Sequence, residues 1–384
     1  MKKTLLAATI LGAFACAASA ANVQVYGLID TSLSFVHSDA DISGEDSKNS
    51  FTMENAEQFG SRFGLRGSED LGNGMKVSFV LESGFESDSG RLDSKQNDRL
   101  FGRESNVTVS GDFGAVSFGL MPIFGSVLGA NGLFRALDPV TANYTVGFGS
   151  GFATASMMTR VDNAISYKTP TFAGFTGYAM YSFKMNSITD NGQEGDGSSD
   201  RYASLAARYQ QGPLEAVIIA DHTRYGNTDR PDYDNGSTVT VGGNYTLDNG
   251  LKFIAFGQWF DSMYLSARAR AGVAYDGITE LLKQAGYKAG YGQVDGYGLS
   301  FGVNFPLAGG VAKASVNYRD MDNTDNVDFT RWTVAGGYDY PLSKRTTVYA
   351  MGGYSQEKVE LNDAKNTEAT PGGYQLVLGL LHRF

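Results

Sequence analysis

Two short segments line arginines up on one side of an alternating pattern. Arg62, Gly64, Arg66 and Ser68 fall opposite Phe63 and Leu65, and Arg160, Asp162, Ala164, Ser166 and Lys168 fall opposite Val161, Ile165 and Tyr167. A guanidinium keeps its charge at any physiological pH, so the chemistry such a row offers is attraction of anions, not proton transfer. Groups that make and break bonds are scattered. His37, His222 and His382 sit far apart, and no Ser-His-Asp set is legible. Asp320, Asp322, Asp325 and Asp328 resemble a calcium loop only loosely, because the central glycine is missing. Gly147 to Gly151 lacks the strand–helix setting and the lysine of a phosphate loop. A lone cysteine, Cys16, excludes an internal disulfide and a multi-cysteine zinc site.

The elements that hold these residues begin after a leader. Met1-Lys2-Lys3 is basic, Thr4 to Ala17 is apolar, and Ala18-Ser19-Ala20 offers a small-x-small cleavage pattern, so cleavage after Ala20 is expected. The rival reading lipidates Cys16, but Ala13-Phe14-Ala15 lacks the leucine expected before it. Residues 1–20 are therefore read as a secretory signal peptide and 21–384 as one exported domain. Length alone would suggest two or three soluble domains, a prior that single β-barrels also break. A mean hydropathy of -0.22 and the lack of a second long apolar run exclude a helical membrane bundle. With only 8 prolines and 12% aromatic residues, the chain is neither disordered nor collagen-like.

The hydrophobic period is two. Val239, Val241, Gly243, Tyr245 and Leu247 alternate with Thr238, Thr240, Gly242, Asn244 and Thr246. Tyr297, Leu299, Phe301, Val303 and Phe305 alternate with Gly298, Ser300, Gly302 and Asn304, and Ala312, Ala314, Val316 and Tyr318 with Lys313, Ser315, Asn317 and Arg319. A soluble sandwich and a membrane barrel both produce this pattern. The connections separate them. Compact turns at 70–74, 111–114, 169–174, 211–213, 247–250, 306–310 and 341–345 are mostly marked by Gly, Asn or Pro. They alternate with long segments near 36–57, 86–98, 121–157, 186–200, 224–235, 261–294, 321–328 and 357–371. That gives an all-β chain of sixteen antiparallel strands with both ends on the short-turn side, the arrangement of a transmembrane barrel. Ile278, Leu281, Leu282 and Ala285 add a short surface helix within 276–287, closed by Gly286.

The chain ends on Tyr374, Leu376, Leu378, Leu380, His382 and Phe384 in alternation, and the terminal Phe384 resembles the assembly signal of bacterial outer-membrane proteins. Val25-Tyr26-Gly27, the run from Ser61 to Gly74 that opens Ser-Arg-Phe-Gly-Leu-Arg-Gly, and the run from Arg160 to Tyr167 resemble general diffusion porins of Gram-negative bacteria. Gly379 to Phe384 is most similar to the betaproteobacterial branch. The resemblance spans the mature chain. It implies an outer-membrane homotrimer of sixteen-stranded barrels, assembled by the outer-membrane machinery, each pore narrowed by a third loop folded inward.

The same resemblance assigns selectivity to Arg62, Arg103 and Arg160. Alternation supports Arg62 and Arg160; for Arg103 it places Val107 and Val109 on the same face and turns Glu104, Asn106 and Thr108 outward. Arg66, Glu82 and Asp30 share the inward parity. In the third loop Pro122-Ile123-Phe124-Gly125 carries no acid where enterobacterial relatives have one, and between Met121 and Thr159 the only charges are Arg135 and Asp138. Asp138-Pro139 is similar to the Asp-Pro of the betaproteobacterial loop, so Asp138 is the expected acid of the constriction, or else a turn-starting aspartate. Arg135 is a further lumen-facing candidate.

Six of the long loops hold 24 acidic and 7 basic residues, which leaves the rest of the mature chain net basic. Acidic loops would meet lipopolysaccharide at the cell surface, with loosely bound divalent cations between them, while a basic constriction favours anions. No cofactor, catalytic activity or nucleic-acid partner is expected. A diffusion channel for small hydrophilic solutes and ions leads; a substrate-specific channel and an outer-membrane barrel hydrolase are the alternatives.

Overall fold

Strand positions that alternate large apolar with small or polar side chains suit a sheet with one greasy and one wet face, and the chain folds as such a sheet closed on itself. A computed structural model describes residues 22–42, 46–93, 99–129, 131–140, 147–156, 160–265, 273–287, 290–362 and 367–384. The expected leader, its expected cleavage site and Cys16 lie outside the described residues. The strands are β1 (Gln24–Asp39), β2 (Lys48–Asn55), β3 (Arg62–Gly72), β4 (Met75–Gly84), β5 (Glu104–Gly111), β6 (Gly114–Pro122), β7 (Arg160–Lys168), β8 (Phe175–Ser182) and β9 (Arg201–Gln211). They continue as β10 (Leu214–Arg224), β11 (Gly236–Thr246), β12 (Lys252–Tyr264), β13 (Gln293–Leu307), β14 (Gly310–Asn323), β15 (Val327–Pro341), β16 (Thr346–Leu361), β17 (Glu368–Ala369) and β18 (Gly372–Arg383). Among the described residues the one α-helix, α1 (Val273–Gln284), lies in the sixth loop.

Sixteen of these strands are staves of the barrel. The other two, β2 and β17, are loop segments paired to the upper parts of β1 and β16, a detail the alternation of turns did not reveal. Every stave pairs antiparallel with its neighbour, and β18 closes the barrel on β1 from Leu28↔Arg383 to Asp39↔Gly372. The terminal residue adds to the seam: Phe384 and Gly27 exchange backbone hydrogen bonds of 3.0 and 3.1 Å. A side chain at Gly27 would collide with the Phe384 ring, its Cβ falling 2.4 Å from Cζ. All seven compact turns join consecutive staves at one end. Two of the two-residue turns, Asn73-Gly74 and Ala308-Gly309, have both residues at positive φ (52° and 75°, 45° and 84°), the twist such a hairpin needs.

The outer face exposes Leu299, Phe301, Val316, Leu376 and Leu378, and the partners between them face inward. Aromatic residues gather at both rims: Trp259, Tyr297, Trp332 and Tyr374 toward the long loops, and Phe172, Phe175, Tyr245 and Tyr340 toward the turns. Such girdles mark the two membrane–water boundaries. Among the described residues no helix is long and apolar enough to cross a membrane; the strands do so.

Candidate functional site

The described parts of the third loop pack against the inner wall of the barrel. It leaves β6 at Pro122 and returns at Arg160, two residues that pair across the base of the loop. Its first arm packs Ile123, Phe124, Phe134 and Leu137 on the inner faces of β8 to β12. Phe134 meets Phe256 edge-on at 4.8 Å, Phe124 meets Tyr178 at 5.5 Å, and Asn244 Nδ2 donates to the Ala136 carbonyl at 2.8 Å. Farther along, Phe148 seats over Gly353 of β16 and Pro139 over Gly302 of β13, where a Cβ would lie 2.3 and 2.4 Å from them. Asn317 Nδ2 and Thr333 Oγ1 donate to the Phe148 carbonyl. The return arm presses the Ala153 carbonyl against Gly298, and the Ala155 amide donates to Gln258 Oε1 at 2.7 Å.

The arginines stand on the other wall. Arg103 Nε donates to Glu82 Oε1 at 2.7 Å, and Arg62 Nη1 lies 3.7 Å from the same oxygen. Tyr26 Oη donates to Glu82 Oε2 at 2.9 Å. Arg160 Nε donates to the Arg103 carbonyl at 2.8 Å, which fixes the backbone where Arg103 leaves it. Arg62, Arg103 and Arg160 repel one another as like charges, with Glu82 and Glu104 between them. Arg62 Nη2 and Arg103 Nη2 find no hydrogen-bond partner among the described residues. Arg66 stands nearer the turns, exposed, over the Tyr26 ring at 4.9 Å.

Arg103 is where the sequence reading needs correction. It lies in a bend before β5 and so does not share the strand's alternation. Counting from Glu104, the strand places Glu104, Asn106 and Thr108 inward and leaves Val107, 46% exposed, on the outer face. Glu104 therefore joins the site. Arg99, also missed, clamps the Asp162 carboxylate with two bonds of 2.5 and 2.8 Å and ties the second loop to β7. Asp30 is fully buried at the seam, accepting from Tyr349 Oη and from the Gln58 and Phe59 amides, a structural carboxylate.

The two loop charges behave differently. Arg135 is exposed, its guanidinium donating to the Val127 and Gly129 carbonyls. Asp138 is only 7% exposed and accepts the Ser150 hydroxyl; Lys313 is the cation acting on it. In its contacts Asp138 joins the two arms of its own loop, and the carboxylates among the arginines are Glu82 and Glu104. Burial pushes the Asp138 carboxyl up from 3.8 to about 6. The stability gained by keeping that proton is full below pH 4 and lost as pH rises through 6. Two pKa units correspond to roughly 3 kcal/mol at most. Asp138→Asn should flatten the difference in thermal stability between pH 4.5 and pH 7; an unchanged difference would place the pH dependence elsewhere. The sixth-loop helix is present and ends as expected: Gly286 adopts φ 84°, and the Tyr287 amide bonds back to Leu282. It is not a surface helix, however, since Ile278 and Leu282 are buried inside the barrel mouth. No cluster of His, Cys, Asp and Glu among the described residues is arranged to hold a metal.

A closed sheet, apolar outside and charged within, with a loop folded across its interior, defines a transmembrane β-barrel of the outer-membrane channel class. The chain belongs to the Gram-negative porin family, whose model matches residues 7–359. It is 31% identical, over the whole of both chains, to an outer membrane porin protein of Bordetella pertussis. It is 29% identical to outer membrane porin protein 32 of Delftia acidovorans, over 93% of this chain and 90% of that one. Among solved structures, an anion-selective porin from Comamonas acidovorans shares the fold with a TM-score of 0.65 and 23% identity, covering 95% of this chain and 100% of that one. The protein is thus an outer-membrane porin by family and fold.

Proposed function

We propose that the barrel is a passive channel for small hydrophilic solutes and ions with a mild preference for anions. One observation carries the preference: three guanidiniums, Arg62, Arg103 and Arg160, surround two carboxylates, Glu82 and Glu104, and the exposed charge on the third loop is again an arginine, Arg135. Fixed charge in a narrow pore with low-dielectric walls concentrates counter-ions despite the acidic total of the chain. The scattered histidines supply no catalytic set. The channel acts as a homotrimer, the assembly implied by the porin resemblance. Its acidic surface loops meet lipopolysaccharide through divalent cations whose ligands are shared with lipid phosphates. Swelling of liposomes containing the purified protein tests the diffusion reading: uptake should fall smoothly as neutral solutes grow. Rapid uptake of one solute class out of line with its size would favour a substrate-specific channel instead.

A further inference from the structure

An open porin mouth has a polar inner wall, yet here, Asn323 apart, the inward positions at the tops of β14 to β16 are apolar. Met321, Val327, Phe329, Val359 and Leu361 are each 2% exposed or less. They share the lumen-facing parity of Asn317 and Thr333, which hold the third loop. What covers them is α1: Ile278, Leu281 and Leu282 pack into the same cluster, which also takes in Ala155 of the third loop. Beneath the helix Glu357 bridges two arginines, Arg319 Nη2 at 3.0 Å and Arg331 Nη2 at 2.8 Å, with all three side chains 1% exposed or less. Tyr291, at the end of the sixth loop, donates its hydroxyl to Glu357 Oε2 at 2.7 Å, and Asn323 Nδ2 donates to the Tyr291 carbonyl. Glu357, which the sequence placed in an acidic surface loop, is therefore a buried residue of β16. A dry ion triad is costly unless every charge is met, and removing its central acid strands two buried guanidiniums.

We infer that the sixth loop is a second narrowing element of the channel, set above the third, with Tyr291, Arg319, Arg331 and Glu357 as the positioning residues that hold it inside the barrel. The inference rests on the channel reading above. Helix and third loop together occupy the side that runs from β8 round to β18, so solutes pass along the wall that bears Arg62, Arg103 and Arg160. The size limit is then set jointly by the two loops.

Single-channel conductance tests this. Replacing residues 273–286 by a short Gly-Ser linker should raise conductance about 1.5-fold or more as the passage widens, with Glu357→Gln giving part of that rise. A cross-link separates helix position from general damage. The Cβ position of Gly277 lies 3.2 Å from Ala40 Cα and 2.9 Å from Pro371 Cβ, so a Gly277→Cys, Ala40→Cys pair, with the Pro371 ring shifting to admit the new side chain, is the pair chosen to join the helix to the residue that follows β1. Oxidised in the Glu357→Gln background, the pair should restore the wild-type conductance, and reductant should raise it again. Wild-type conductance in a correctly inserted linker variant would overturn the inference, as would a cross-link that forms in Glu357→Gln without changing its conductance. Absence of channels in the unaltered protein would instead count against the channel reading itself.

Discussion

Replacing Arg62 and Arg160 together by glutamine is expected to turn the channel from a mild anion preference toward cations. With both guanidiniums gone, Arg103 alone faces Glu82 and Glu104, and the constriction changes sign. A unit charge about 4 Å from a passing ion contributes roughly 1 kcal/mol in water, and more beside a low-dielectric wall. That is about fivefold in local ion concentration per charge, so the permeability ratio should move by about tenfold or more for the pair. Arg103 is left in place because its removal would leave the buried Glu82 carboxylate with less compensation, mixing stability with selectivity. The effect should shrink in 1 M salt, where the screening length is about 3 Å. Reversal potentials of both proteins at low and high salt would check this, and equal ratios at low salt would remove these arginines from the account.

Gly298→Val should loosen the third loop and widen the pore. A Cβ at position 298 would lie 1.8 Å from the Ala153 carbonyl oxygen, a backbone atom that cannot rotate away. The return arm must lift, giving up the hydrogen bond between Ala155 and Gln258. Overpacking of this kind costs about 1–3 kcal/mol, while the stave hydrogen bonds are untouched. Larger sugars should therefore enter liposomes faster through a barrel that still resists heat. Gly336→Val is the control, because its Cβ meets nothing closer than 3.7 Å. An unchanged exclusion size in Gly298→Val would mean that the return arm does not bound the pore.

The staves were legible because their determinants are local. Alternation along Thr238 to Thr246 fixes which side chains face inward, and Gly, Asn and Pro mark the turns wherever they fall. Arg62 and Arg160 could be placed because each begins a strand and shares its parity. Arg103 could not, since a bend before β5 resets the count, although polar Glu104, Asn106 and Thr108 against Val107 and Val109 carried the signal. The path of the third loop was beyond reach for another reason. It depends on seats at Gly298, Gly302 and Gly353, more than a hundred residues away in sequence, which by themselves read as small lumen-facing positions. The inward turn of α1 was hidden likewise: its apolar stripe was visible, but Met321, Val327 and Phe329, which share its cluster, lie in and beside a segment that three aspartates mark as a surface loop.

The most direct measurement is the current through single purified proteins in a planar bilayer under a gradient of potassium chloride. The account predicts large, steady steps that close in three levels, with a reversal potential of the sign set by chloride. A potential of the sign set by potassium, or a barrel that carries no current, would contradict it.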